Sequence, residues 1–302
     1  MAPDVMTHEP TPRILDLDRD RLAALRGRAL TAAVAAAEGR TIVAEVIAGA
    51  QSLADGVENF EIVAALGADV IILNFVELVL ADDGWRFPEL GHVPDLATLA
   101  RRVGRPIAVN VEPGEVPAAR RSSPENARRL IDAGAAMLCV TANPGTGTSL
   151  EDLADATRRI RGELGPEAAI WAGKMHLAGR NEELTAAGID RIVEAGADGV
   201  LIPLPGTVPG VTRERAIDLV RAAHDGGAIV MGTIGTSQEG ARPSIVPTLA
   251  LLAKEIGVDA HHLGDAGIGR VTDPDLLYEY SIAIRGRRHT WRRMALGGRR
   301  GG

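Results

Sequence analysis

Lysine is nearly absent from this chain: of its 33 lysine and arginine residues, only Lys174 and Lys254 are lysine. Lys174 lies in the apolar run WAGKMH (171–176). Arginine keeps its proton under all ordinary conditions, so a lysine in so arginine-rich a chain marks a position where a removable proton matters. Cysteine is almost as scarce. The single Cys139 sits in the apolar run MLCV, which excludes a disulfide framework and points to a reducing compartment. Aromatic residues make up 3% of the chain, and abundant alanine and glycine suit close packing of helices on a sheet. No apolar run reaches the roughly 20 residues of a membrane span. The opening MAPDVMTHEPTPR has no basic stretch followed by an apolar one, so a cytoplasmic protein without membrane contact is expected. Excess positive charge is missing too. A net charge of −7 argues against a nucleic-acid partner, although residues 285–300 carry seven arginines. Those arginines read as the solvated face of a last helix, or as a contact for a partner.

What is present is a repeat. Short β-branched runs begin near Thr41, Asp69, Pro106, Met137, Ala168, Gly199, Ala228 and His261, about 30 residues apart, with helical patterns such as SPENARRLIDAGA and TRERAIDLVRAAHDGGA between them. The junctions ALGADVIIL, DAGAAMLCV and EAGADGVLI each use a glycine to stop a helix just before a strand. Eight such units predict a single (β/α)₈ barrel over residues 16–295; an open, doubly wound sheet is the alternative. One extra helix, about Asp18 to Glu38, is expected to cap the bottom. Residues 1–15 are expected to be flexible and 296–302 disordered.

Strand alternation then predicts which side chains enter the barrel. Glu45, Asn74, Asn110, Glu112, Thr141, Asn143, Lys174, His176 and Asp265 are read as facing inward near the C-terminal ends of the strands, where barrel active sites assemble. Lys174, Glu45, Glu112 and His176 are the candidate catalytic residues; Asn74, Asn110, Thr141, Asn143 and Asp265 are the candidate substrate contacts. A desolvated lysine loses proton affinity and can attack a carbonyl to form a Schiff base, with a glutamate moving protons. Glu45, Glu112 and Asp265 are the candidates to hold Mg²⁺ through oxygen, although the lysine chemistry requires no cofactor. Blander readings stand beside these: Glu45 and Lys174 as a buried ion pair, His176 bonded to a carbonyl, the asparagines as strand ends. His261 and His262, adjacent on one strand, point to opposite faces and cannot easily share one ion.

Three glycine-rich loops follow strands: NPGTGTS (143–149), GTIGTSQEG (232–240) and GDAGIG (264–269). The loops after strands seven and eight are where many barrels hold phosphate on backbone N–H groups. Gly232, Thr233, Gly235, Thr236, Gly264 and Gly267 are the phosphate-binding candidates. The long segment from Glu77 to Pro94 is read as a lid with Trp85 and Phe87 as apolar closures, or as an oligomer contact.

On the fragments GADVIILNF, PIAVNVE, GADGVLI and GTIGTS, residues 41–295 resemble phosphate-binding (β/α)₈ barrels, and are similar in style to BtpA-like barrels and to barrels grouped with phosphoenolpyruvate mutases. The KxxxCHG-type loop of the phosphoenolpyruvate mutase and isocitrate lyase group has no equivalent here. Lys174 and the candidate phosphate loops lead to the expectation of a lyase, aldolase or isomerase acting on a small phosphorylated carbonyl compound, and a homo-oligomer is expected because barrels often form symmetric assemblies. The alternatives are a Mg²⁺-dependent enolate-forming enzyme and a non-catalytic barrel that binds a phosphorylated metabolite.

Overall fold

A computed structural model describes residues 11–143, 146–177 and 182–297. Eight parallel strands close into a barrel in the order β1 (Thr41–Ile47), β11 (Ala260–Leu263), β10 (Ile229–Ile234), β9 (Gly199–Pro203), β8 (Ile170–Gly173), β7 (Met137–Val140), β6 (Ile107–Val111) and β2 (Val70–Asn74). Closure excludes the open sheet. Around it run α3 (Asn59–Ala65), α4 (Leu96–Val103), α5 (Pro124–Asp132), α6 (Leu150–Leu164), α7 (Ala186–Glu194), α8 (Arg213–Asp225), α9 (Val246–Ile256) and α10 (Pro274–Gly297). The alternation of the strands sorts the core into two. Ile42, Leu73, Val109 and Ile170 pack outward against the helices, whereas Val43, Ile72, Cys139 and Trp171 fill the lumen.

The bottom is capped by two helices rather than the one expected, α1 (Arg19–Ala24) and α2 (Gly27–Ala35). The break falls at Gly27, which has φ +59 and packs against the Glu167 carbonyl too closely for any Cβ. Leu22, Leu30 and Val34 then join the lumen cluster, and the Trp171 indole donates to Thr31 Oγ1 at 3.1 Å. Ordered packing starts earlier than residue 16, because Ile14 and Leu15 are buried against this cap. Residues 1–10 of the expected flexible segment, and 298–302 of the expected tail, lie outside the described residues.

The repeated junction has a second function that the glycine alone does not reveal. In three of the units an aspartate follows, and it grips both backbone polar groups of one residue on the neighbouring strand. Asp69 N–H donates to the Ile42 carbonyl and its Oδ2 accepts from Ile42 N–H; Asp198 does the same to Ile170 and Asp259 to Val230, all six bonds at 2.8 or 2.9 Å. Asp69 is fully buried and also meets Arg285 at 2.5 Å and Arg293 at 2.7 Å. Both arginines belong to α10, which breaks at Gly286 (φ 71) and folds back so that its two halves reach one carboxylate. The arginine-rich stretch therefore splits: Arg285 and Arg293 hold the barrel, while Trp291 is exposed.

Residues 77–94 form a small antiparallel sheet, β3 (Leu80–Ala81), β4 (Gly84–Phe87) and β5 (Gly91–Val93). Trp85 and Phe87 are buried in the outer core, with Phe87 edge-on to Phe60 at 5.1 Å between ring centroids. Their burial in the flank of the barrel leaves neither ring available as a closure over the mouth. Among the described residues no helix is long and apolar enough to cross a membrane.

Candidate active site

At the C-terminal ends of the strands lies a cavity of about 230 Å³, open to solvent. Its walls include Glu45, Asn110, Thr141, Asn143, Met175, His176, Gly235, Thr236, Glu239, His262, Gly264 and Asp265. Most of the polar residues expected inside are thus brought together, and hydrogen bonds join several of them in two groups. Asn110 Nδ2 donates to Glu45 Oε1, and Glu45 Oε2 lies 3.3 Å from His262 Nε2. Asn74 Nδ2 donates to Asp265 Oδ2 at 3.0 Å. Asn143 faces Asn74 at 3.4 Å.

Glu112 is buried in the wall rather than exposed to the cavity. It accepts from Asn143 Nδ2 at 2.6 Å and Asn143 N–H at 2.7 Å, and pairs with Arg120 Nε at 3.0 Å. Arg120 is further held by Glu77 at 3.1 Å and lies 4.1 Å from the Phe75 ring centroid. With its oxygens committed, Glu112 positions Asn143 instead of moving protons. The three carboxylates read as Mg²⁺ ligands do not come together, and no group of three His, Cys, Asp or Glu among the described residues is arranged to hold a metal ion. The residues present do not fit that metal.

Lys174 is the largest correction. Beyond β8 it is Met175, not Lys174, that joins Trp171 in the lumen cluster, and Lys174 is not among the residues that line the cavity. Its buried amine lies 3.5 Å from Glu182 Oε1, a carboxylate that also accepts the Leu150 N–H at the start of α6 at 2.6 Å. The alternation ends because β8 stops at Gly173, whose φ of +149 and contact with the Leu201 backbone admit no side chain. Beyond it the chain bends, and His176 reaches the cavity wall. Burial, with help from the Lys174 charge, lowers the His176 pKa and favours a neutral ring.

The loops after β10 and β11 also differ from the phosphate reading. Gly232 packs outward against Leu204, Thr233 donates to the Met175 and Ile202 carbonyls, and Gly267 is pressed against Asp273 N and the Val271 carbonyl. Gly235, Thr236 and Gly264 do line the cavity, with Thr236 at φ +59 and its hydroxyl donating to the Thr207 carbonyl. The Glu239 carboxyl bridges the two loops. Its Oε1 accepts from Ala266 N–H at 3.3 Å, and a Cβ on Gly264 would stand 2.7 Å from that oxygen, so glycine is the residue that makes room. Glu239 lies in a loop, where alternation gives no guidance, but an acid inside GTIGTSQEG is a visible signal against a bound phosphate.

The acids of this cavity are poorly solvated. Burial, with lesser contributions from neighbouring carboxylates, pushes Glu45 up to about 8. Burial, then the Glu45 charge, pushes Asp265 up to about 7. Glu239 is raised for the same first reason. His262, enclosed on all sides, falls to about 4 and is neutral at physiological pH. His261, one residue earlier, points the other way and joins the Tyr280 hydroxyl and the Gly39 carbonyl, each at 2.9 Å.

A testable consequence for stability follows. Glu45 holds its proton more tightly folded than unfolded, so its relative contribution is present at low pH and is lost as pH rises from about 4.5 to about 8. Glu45→Gln is therefore expected to melt higher than the parent protein, by more at pH 9 than at pH 5. Differential scanning calorimetry at the two values checks it; an equal difference at both would contradict the assignment.

The family model described as "Domain of unknown function (DUF7916)" matches residues 15–300. The chain belongs to that family. No curated protein matches the DUF7916 sequence. Among solved structures, a candidate lyase/mutase from Burkholderia cenocepacia J2315 aligns at 17% identity over 83% of this chain and 84% of the other, with a TM-score of 0.54. A 2,3-dimethylmalate lyase, described as a member of the PEP mutase/isocitrate lyase superfamily, aligns at 18% identity over 80% of each chain with a TM-score of 0.48. At this identity the first likeness shows the barrel fold, in keeping with the resemblance read from the strand fragments, and the second adds no argument.

Proposed function

We propose that this DUF7916 barrel is an enzyme of lyase or isomerase type that works by proton transfer between Glu45 and Asp265. The observation that carries the reading is the pair itself: two carboxyls from neighbouring strands share one cavity, and both acid constants are lifted toward neutrality. Asp265, the more acidic, acts as the base that removes a proton from the substrate. Glu45, protonated near pH 7, delivers one to the oxygen or leaving group. Asn110 fixes the Glu45 carboxyl, and Asn74 fixes Asp265. The barrel shared with a candidate lyase/mutase supports an enzyme without naming its substrate.

Lys174 enters this reading through His176, whose neutrality it favours, and not as a nucleophile. Borohydride reduction in the presence of small aldehydes, ketones and 2-oxo acids is expected to leave Lys174 unmodified; a trapped adduct there would restore the Schiff-base mechanism. The acid–base reading is tested by incubating the parent protein and Glu45→Gln with a deproteinised cell extract in D₂O and following it by mass spectrometry. A compound that the parent consumes or deuterates, and the variant does not, is the expected result. No change with either protein would favour a non-catalytic binding barrel.

A further inference from the structure

We propose that the mouth cavity binds a small organic ammonium compound carrying further hydroxyl or N–H donors, with Glu239 as the residue that selects the amine. This rests on the reading of the cavity as a substrate site and names the class of ligand it takes. Three carboxylates, Glu45, Glu239 and Asp265, face one enclosed space, and no lysine or arginine among the described residues lines it. With no basic side chain of its own, such a cavity disfavours phosphate esters and offers its acids to a cationic ligand, whose charge draws them into the ionised form.

The second observation is a set of buried polar atoms without partners. Asn110 Oδ1, Thr141 Oγ1, Glu239 Oε2 and His262 Nδ1 make no hydrogen bond, and His262 Nε2 stands 3.3 Å from Glu45 Oε2 without one. All four residues are nearly fully buried and line the cavity. The Asn110 amide must give its NH₂ to Glu45, which turns its oxygen free. Glu239 has one oxygen engaged by Ala266 N–H and the other bare. Buried atoms of this kind each cost free energy until a ligand meets them. Asn110 Oδ1 accepts at any pH and Glu239 Oε2 accepts once the acid is ionised, so the complementary ligand brings donors. An ammonium supplies three donors and the opposite charge in one group. A bare metal ion fits less well, because the acids are not grouped for coordination. The raised acid constants of all three carboxyls, caused first by burial, are ones that an ammonium beside them would draw back down.

The experiment is isothermal titration of the full chain with matched probes: glucosamine, glucose and glucose 6-phosphate; ethanolamine and ethylene glycol; and MgCl₂ alone. The amines are expected to bind more tightly than their uncharged or phosphorylated counterparts. Glu239→Gln, which keeps the shape and removes the charge, is expected to weaken amine binding roughly ten- to hundredfold. Gly264→Ala, which crowds the same carboxylate, should weaken it as well. Tighter binding of glucose 6-phosphate, Mg²⁺ binding that depends on Glu239, absence of amine binding, or amine binding unchanged in Glu239→Gln would overturn the proposal. The two readings fail separately. Amine binding through Glu239, with no compound turned over, removes the catalytic role of Glu45 but leaves the ligand class standing. Turnover that depends on Glu45 without amine binding does the reverse.

Discussion

Asp69→Asn is expected to lower the melting temperature by roughly 6–15 °C, from a loss of about 3–5 kcal/mol when one partner of a buried ion cluster is removed. The asparagine oxygen can still accept the Ile42 N–H, so the experiment isolates the charge. Without it, Arg285 and Arg293 are left as buried cations, and the fully buried Arg105, already lowered to about 9, stands close by. Asp198→Asn is the control: it keeps the same bond to its neighbouring strand and faces a single, partly exposed Arg161 at 2.5 Å, so its cost should be smaller. Burial alone would raise the Asp69 pKa, but Arg285 and Arg293 outweigh it and hold the group below its ordinary value. Its contribution is therefore present above the unfolded aspartate pKa and is lost as pH falls through the lowered one. Thermal melts should show the gap between parent and variant narrowing in acid.

Once a substrate is in hand, activity is expected to follow a narrow bell between about pH 7 and about pH 8. Asp265 must be ionised to accept a proton, so rate falls below the lower value. Glu45 must hold its proton to donate it, so rate falls above the higher one. The limbs belong to the coupled pair rather than to either residue alone. Glu45→Gln should reduce kcat by roughly 10²–10⁴-fold and abolish the alkaline limb, whereas Glu112→Gln should act more through KM by loosening Asn143. A profile flat from pH 6 to 9 would rule the pair out.

How much of this was legible in the sequence depends on where each residue lies. Glu45, Asn74, Asn110 and Thr141 could be placed because strands have a period of two and the barrel repeats every 30 residues or so, whereas Asp265 reaches the cavity from beyond the end of β11, against the parity of Leu263. That rule stops where the strand stops. Gly173 ends β8, and beyond it the Lys174 amine lies beside Glu182, outside the cavity lining, while Met175 and His176 both reach the site. Glu112 obeyed the alternation, yet its role depended on Arg120, a partner brought in by a turn that no periodicity locates. Glu239 belongs to the same class of omission. Its loop was readable as glycine-rich, but only the packing against Gly264 and Ala266 reveals that its acid reaches across to the next loop and into the cavity. The two capping helices were hidden by Gly27, since helical periodicity runs on through a glycine unless something forces it to positive φ.

The Asp69 cluster also orders events in time. Asp69 and Arg285 are 216 residues apart in the chain, and β11, the strand that closes the barrel against β1, precedes Arg285 only slightly. During synthesis the first two strands emerge with an aspartate whose partners do not yet exist. An early β1–β2 pair would have to bury an uncompensated charge, so a partly made barrel is held open and hydrated at that seam. Closure, the fold-back of α10 at Gly286 and the neutralisation of Asp69 then become a single late and cooperative event.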